Sequence, residues 1–220
     1  MTSLLSVILF GFVLGMRHAT DPDHVIAVAT IGSQQRSIAG GAWIGVLWGV
    51  GHTLTIVAVG IAIIAFNVVI SPQVGLSMEL AVAFMLIVLG ILSLKGARSL
   101  RHDSHDQGAG RAVTTRATLR PLAIGIVHGL AGSASVALLV LAPIRDPLLA
   151  ATYLLVFGVG TITGMMLITG LMVWPLARMG RGSSTVRRRV TTATGVLSLM
   201  LGVLLVYQIG IVEGLFTYAR

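Results

Sequence analysis

Cysteine is absent from the 220-residue chain, which excludes a disulfide framework and any thiolate ligand. A metal bound here must sit on nitrogen and oxygen. Charge is scarce as well. Asp, Glu, Lys and Arg make up 10% of the residues, against roughly 25% in soluble domains, so the chain leaves no room for a separate water-soluble domain. Acidic residues number 7 against 15 Lys and Arg, and Glu79 and Glu213 are the only glutamates. No His-Glu-x-x-His pair, serine elbow, phosphate loop or nucleotide-binding motif occurs, so any use of ATP would have to come from another protein. The N-terminus has no basic run and no small-residue cleavage site of the kind that marks a secretory signal, and its first apolar segment is expected to be retained.

What fills the chain is apolar. Hydrophobic residues reach 55% and the mean hydropathy is +0.96. Six apolar stretches stand out, at about residues 4–31, 39–66, 80–94, 121–144, 148–176 and 190–216. Most reach the roughly 20 residues a helix needs to cross the hydrocarbon layer; the third does so only if extended to Leu76 and Ala97. The expectation is one all-α, polytopic membrane domain over residues 1–220 with six transmembrane helices. Twelve of the 15 basic residues fall in the three segments that would lie opposite the termini. The positive-inside rule then places both termini outside the cytoplasm, in a multi-pass protein of the cell (inner) membrane. These basic runs flank spans and lack interleaved aromatics, so they read as topology signals for a lipid bilayer, with no nucleic-acid partner.

The two halves resemble each other. Gly15-Met16-Arg17-His18 lines up with Gly125-Ile126-Val127-His128, Gly49 to Thr55 with Gly158 to Gly164, and Leu89-Gly90 with Leu201-Gly202. Three matches in order at nearly one offset predict a 3+3 repeat, with repeat 1 at about 3–97, a cytoplasmic loop at about 98–119 and repeat 2 at about 120–216. Because three is odd, the halves would face opposite ways, a plan that recurs in secondary transporters with a site near the midplane.

One stretch breaks the apolar pattern. Arg17-His18-Ala19-Thr20-Asp21-Pro22-Asp23-His24-Val25 sets one arginine, two histidines and two aspartates inside the first span. Three unpaired charges there would cost on the order of 8 to 10 kcal/mol on insertion scales, so a cation, protons or mutual pairing must offset them. A regular helix cannot bring His18, Asp21, Asp23 and His24 together at about 100° per residue. Pro22 cannot donate to the His18 carbonyl and should kink or unwind the helix, gathering these side chains and freeing that carbonyl as a further ligand. His52 lies midway along the second span beside Gly49 and Gly51, and His128 takes the matching place of His18 in the fourth. Four imidazoles and two carboxylates without sulfur suit nickel or cobalt better than copper(I), magnesium or calcium, and zinc also fits. A second histidine group, His102, Asp103, His105 and Asp106, falls in the polar loop, where such residues are usually only solvated.

Residues 17–25 resemble the signature Arg-His-Ala-x-Asp-Ala-Asp-His-Ile of the nickel/cobalt transporter family, departing at Pro22 and Val25. Trp48-Gly49-Val50-Gly51-His52-Thr53 is similar to its second signature, Phe-x-x-Gly-His-Ser. In the third, Leu-Gly-x-Asp/Glu-Thr-Ala-Thr-Glu, both acids are replaced here by Gly160 and Gly164. That departure, with six expected spans, looks like the short branch labelled urease-accessory or high-affinity nickel permease. The resemblance implies a permease for divalent nickel or cobalt, with metal ligands among His18, Asp21, Asp23, His24, His52 and His128. It implies no cofactor beyond the transported ion, and partners in metal handling or in urease or hydrogenase maturation. Related efflux proteins share the first motif, so export, or delivery of metal as an accessory membrane subunit, is the alternative. The spacing His18-x4-Asp23 also occurs in membrane acyltransferases, a remote enzymatic alternative that lacks its companion glutamate-glycine motif here.

Overall fold

The computed structural model describes residues 4–33, 35, 37–66, 71–99, 115–130, 146–178 and 184–216. Its elements are helices: α1 (Leu4–His18), α2 (Pro22–Gly32), α3 (Ile38–Phe66), α4 (Pro72–Ser99), α5 (Thr115–Gly129), α6 (Pro147–Arg178) and α7 (Ser184–Tyr207), the last running into a π turn at Gln208–Val212. In hydrocarbon every backbone polar group must be paired within the chain, and a helix does this locally. Among the described residues, four helical stretches are long and apolar enough to cross a bilayer: Ile38–Ile63, Pro72–Arg98, Pro147–Arg178 and Thr185–Val212. The chain is an all-α, multi-pass membrane protein.

The third apolar stretch is longer than hydropathy suggests. Ser71 caps α4, its backbone and side-chain oxygens accepting from Gly75 and Val74, and Pro72 at the first helical position extends the helix well ahead of residue 80. Helix α5 starts at Thr115, ahead of the expected 121, and carries Pro121 inside it. Residues 131–145, with the rest of that expected span, and the loop group His102, Asp103, His105 and Asp106 lie outside the described residues.

The first apolar stretch divides in two. Thr20 and Asp21 donate their N–H groups to the carbonyls of Arg17 and His18. Asp21 then stands as the N-cap of α2 in extended backbone. Pro22 takes the first position of α2, where its missing N–H costs nothing. The helix therefore unwinds rather than bends. One expectation is corrected here: the His18 carbonyl is not left free, because the Asp21 N–H takes it at 3.1 Å.

Helix α3 packs along α6, α1 lies along α6 and α5 along α3, while α4 and α7 form a separate pair that meets the rest mainly through α2. Contacts across these pairs come in reciprocal sets. A methyl group on Gly15 would strike the Phe157 carbonyl, and one on Gly125 would strike that of Trp48. Gly160 likewise abuts the Phe12 carbonyl and Gly51 that of Leu122. The second member of each set is the first carried over by the repeat offset read from the sequence. On the other pair, Gly90 sits against the Gly195 carbonyl and Gly202 against that of Ala83, at 2.7 and 2.8 Å from the site of a Cβ, and these positions are related in the same way. Only glycine lets two helix backbones come this close.

Two buried apolar layers follow from this packing. One joins Val28, Trp48, Leu86, Leu89, Ile124 and Met165; the other joins Val7, Ile56, Tyr153, Leu154 and Phe157. Along α3, Trp48 belongs to the first and Ile56 to the second, about 12 Å apart at 1.5 Å per residue. His52 lies between them.

Candidate metal centre

Four imidazoles meet between the layers. His24, His52 and His128 are fully buried and His18 nearly so. Each comes from a different local device: His18 from the last turn of α1, His24 from the first turn of α2, His52 from the glycine-flanked middle of α3, and His128 from the end of α5. The α1–α2 break sets His18 and His24 edge to face, with ring centroids 4.6 Å apart. Close approach of α5 to α3, where Gly129 abuts the His52 carbonyl, brings in His128. Its ring centroid lies 4.3 Å from that of His24 and 5.9 Å from that of His52.

Asp23 ties two of these rings together. Its Oδ1 pairs with His24 Nδ1 at 3.2 Å and its Oδ2 with His128 Nε2 at 2.8 Å. An ionised carboxylate only accepts hydrogen bonds, so both nitrogens donate, and in neutral rings that leaves lone pairs on His24 Nε2 and His128 Nδ1. Those two atoms are buried with no hydrogen-bond partner among the described residues. Asp21 acts likewise on His18, its Oδ2 lying 2.9 Å from His18 Nδ1, which leaves the His18 Nε2 lone pair facing His52 Nε2 at 3.0 Å. Two sets of potential ligand atoms result, each within 4.8 Å of one another: His18, His24 and His52, and Asp23, His24 and His128. His24 is common to both.

The structure thus brings together five of the six residues singled out by sequence. It places the sixth, Asp21, outside both sets and beside His18, with its side chain 44% exposed against 4% for that imidazole. Arg17 is exposed and forms no ion pair among the described residues.

Two aromatic walls were not anticipated. Phe157 lies 5.4 Å from the His18 ring, and Trp48 lies 5.4 Å from that of His128; both walls are fully buried. Trp48 stood in the second motif, one helical turn before His52, and Phe157 is its counterpart in the second half, so the repeat offset carried the signal.

A protein-family comparison matches residues 4–113 to the NicO model, described as high-affinity nickel-transport protein. Over 219 residues the chain is 36% identical to the urease accessory protein UreH of Bacillus sp. (strain TB-90), covering 97% of this chain and 96% of that protein. The chain belongs to the NicO family of nickel-transport proteins. Membership agrees with the nickel/cobalt resemblance read from residues 17–25 and 48–53. It makes the chain a membrane transport protein rather than an enzyme, so the acyltransferase alternative is set aside. No solved structure matches the chain.

Proposed function

We propose that this protein is a permease that passes divalent nickel or cobalt through the His/Asp centre near the middle of the bilayer. His18, His24, His52 and Asp23 supply ligands from the first half, His128 joins from the second, and Asp21 orients His18. The observation that carries the reading is the convergence of four buried imidazoles, two of them bonded to the Asp23 carboxylate, with lone pairs left over on buried nitrogens. The donor set is nitrogen and oxygen without sulfur, which favours borderline divalent ions. The 3.0 Å between His18 Nε2 and His52 Nε2 also suits a cation. Two nitrogens bound side by side at about 2.1 Å sit about 3.0 Å apart in an octahedron and about 3.4 Å apart in a tetrahedron.

The reciprocal glycine contacts support six spans arranged as a 3+3 inverted repeat with the site where the halves meet. The basic segments support an inner-membrane placement with the termini outside the cytoplasm. The name of the Bacillus relative supports a partner in urease maturation that receives the ion, the accessory role being the second reading.

Purified protein in liposomes, loaded with radioactive nickel on one side, tests the proposal. The chain alone should carry nickel, and His24→Ala should abolish flux at unchanged protein level. Flux that appears only with an added partner protein favours the accessory role, and whole-cell nickel content separates import from export.

A further inference from the structure

One charge deep in the membrane has no partner. Arg17 is exposed, and its guanidinium makes no hydrogen bond or ion pair among the described residues. Its depth follows from the packing of α1 on α6: Gly160 meets the Phe12 carbonyl, and Gly164 meets the Ala19 methyl and the Met16 carbonyl. Arg17 therefore stands about level with Gly164, close to the middle of the 32-residue α6 and roughly 20 Å along that helix from either end. A charge at this depth is expensive in lipid and needs a counter-charge or water.

The face that carries Arg17 is otherwise apolar. Leu5, Leu9, Val13 and Arg17 follow one another at intervals of four along α1, which sets them in one row, and the first three are 74%, 64% and 55% exposed. Helix α1 packs mainly on α6, through its opposite side at Gly11 and Gly15. Lipid tails cover the three apolar side chains but give Arg17 no counter-charge. The chain itself carries one at matching depth. Asp21 follows four residues on, at the break between α1 and α2, with its side chain 44% exposed. Its Oδ2 is turned to His18 Nδ1 at 2.9 Å, and it makes no ion pair with Arg17 of its own chain. Asp23, the next acid along, already has both oxygens bonded. A cation and an anion thus stand near each other at one level, each open on one side. Such a surface complements itself across a two-fold axis, because the cation of each copy meets the anion of the other.

We infer that the exposed face of α1 is the interface of a homodimer in the membrane. The two α1 helices run parallel and meet along the Leu5, Leu9 and Val13 row, and Arg17 of each copy pairs with Asp21 of the other. Because Asp21 also holds His18, each copy then reaches the metal centre of its neighbour through one guanidinium.

The cysteine-free chain gives a clean test. Val13→Cys is oxidised in membranes beside Val203→Cys, which is equally exposed at 55% but lies on α7. Val13→Cys should give about five-fold more disulfide-linked dimer, since equivalent positions meet at a two-fold seam. With Val13→Cys as reporter, Arg17→Asp alone or Asp21→Arg alone sets like charges together and should cut the dimer about ten-fold. Co-expressed with different size tags, those two variants should cross-link to each other. The milder Arg17→Gln guards against a folding defect: it should lower cross-linking about three-fold at unchanged protein level. If Val13→Cys gives no more dimer than Val203→Cys, the inference is overturned, and Arg17 is served by lipid phosphate or water in a monomer. Cross-linking unchanged by Arg17→Gln overturns it as well. None of these readouts uses nickel, so the inference stands or falls separately from the permease reading.

Discussion

The two halves of the molecule share their packing and differ in their chemistry. His18 rests on Phe157 and His128 on Trp48 with the same 5.4 Å between rings, and the glycine contacts repeat in the same way. Yet the first half supplies His18, Asp23, His24 and His52, and the second supplies His128. Thr161, the counterpart of His52, fills its place with a fully buried hydroxyl bonded to the Phe157 carbonyl at 3.0 Å. In sequence, Ser133 and Ala134 are the counterparts of Asp23 and His24. Helix packing constrains both halves equally, because a side chain at either glycine collides with backbone. A single ion needs one set of ligands, so the chemistry can concentrate in one half.

Exchanging positions across this relation should separate the two demands. The largest effect is expected at Asp23, which has no acidic counterpart. Asp23→Asn removes the negative charge and replaces one of the two oxygens that accept from His24 and His128 with an NH2 donor, and should bring nickel flux to background, with protein level in the membrane unchanged. Next come the counterparts His18 and His128: His18→Ala should lower flux at least ten-fold more than His128→Ala, since His18 also holds His52. Equal losses would sink the claim that the halves contribute unequally. Asp21→Asn, which acts through His18, should weaken nickel affinity about 10- to 100-fold, the range for groups that orient a metal ligand; isothermal titration reads this directly. In contrast, Gly15→Ala and Gly125→Ala should destabilise by similar amounts, about 1–3 kcal/mol each for overpacking, seen as matched falls in the unfolding temperature in detergent. The smallest effect belongs to Trp48→Phe: the indole nitrogen has no hydrogen-bond partner among the described residues, so flux should stay within about two-fold, provided the ring surface is kept.

Much of this was legible in the residues themselves. Charged and imidazole side chains in an apolar run are costly enough to announce a site, and Pro22 announced the break that gathers them. The repeat offset found His128, which lies far from the cluster in sequence. Other features depended on which hydrogen bonds the broken helix makes. Asp21 became a cap beside His18 instead of a member of either ligand set, and the His18 carbonyl went to the Asp21 amide. Both outcomes turn on three residues of backbone geometry that composition does not specify. Hydropathy also understated α4, because Gln73, Ser77 and Glu79 dilute its first turns while Ser71 and Pro72 start the helix regardless.

The apolar layers at the levels of Trp48 and Ile56 carry a further consequence for what the protein can admit. A cation that reaches the imidazoles must strip off most of its water shell, and only strong nitrogen coordination repays that loss. Magnesium dehydrates reluctantly and prefers oxygen ligands, so the proposed permease would turn it away by its own hydration, however abundant it is. In the proposed permease, selectivity against common hard ions is then set by the greasy floor and ceiling as much as by the ligands between them.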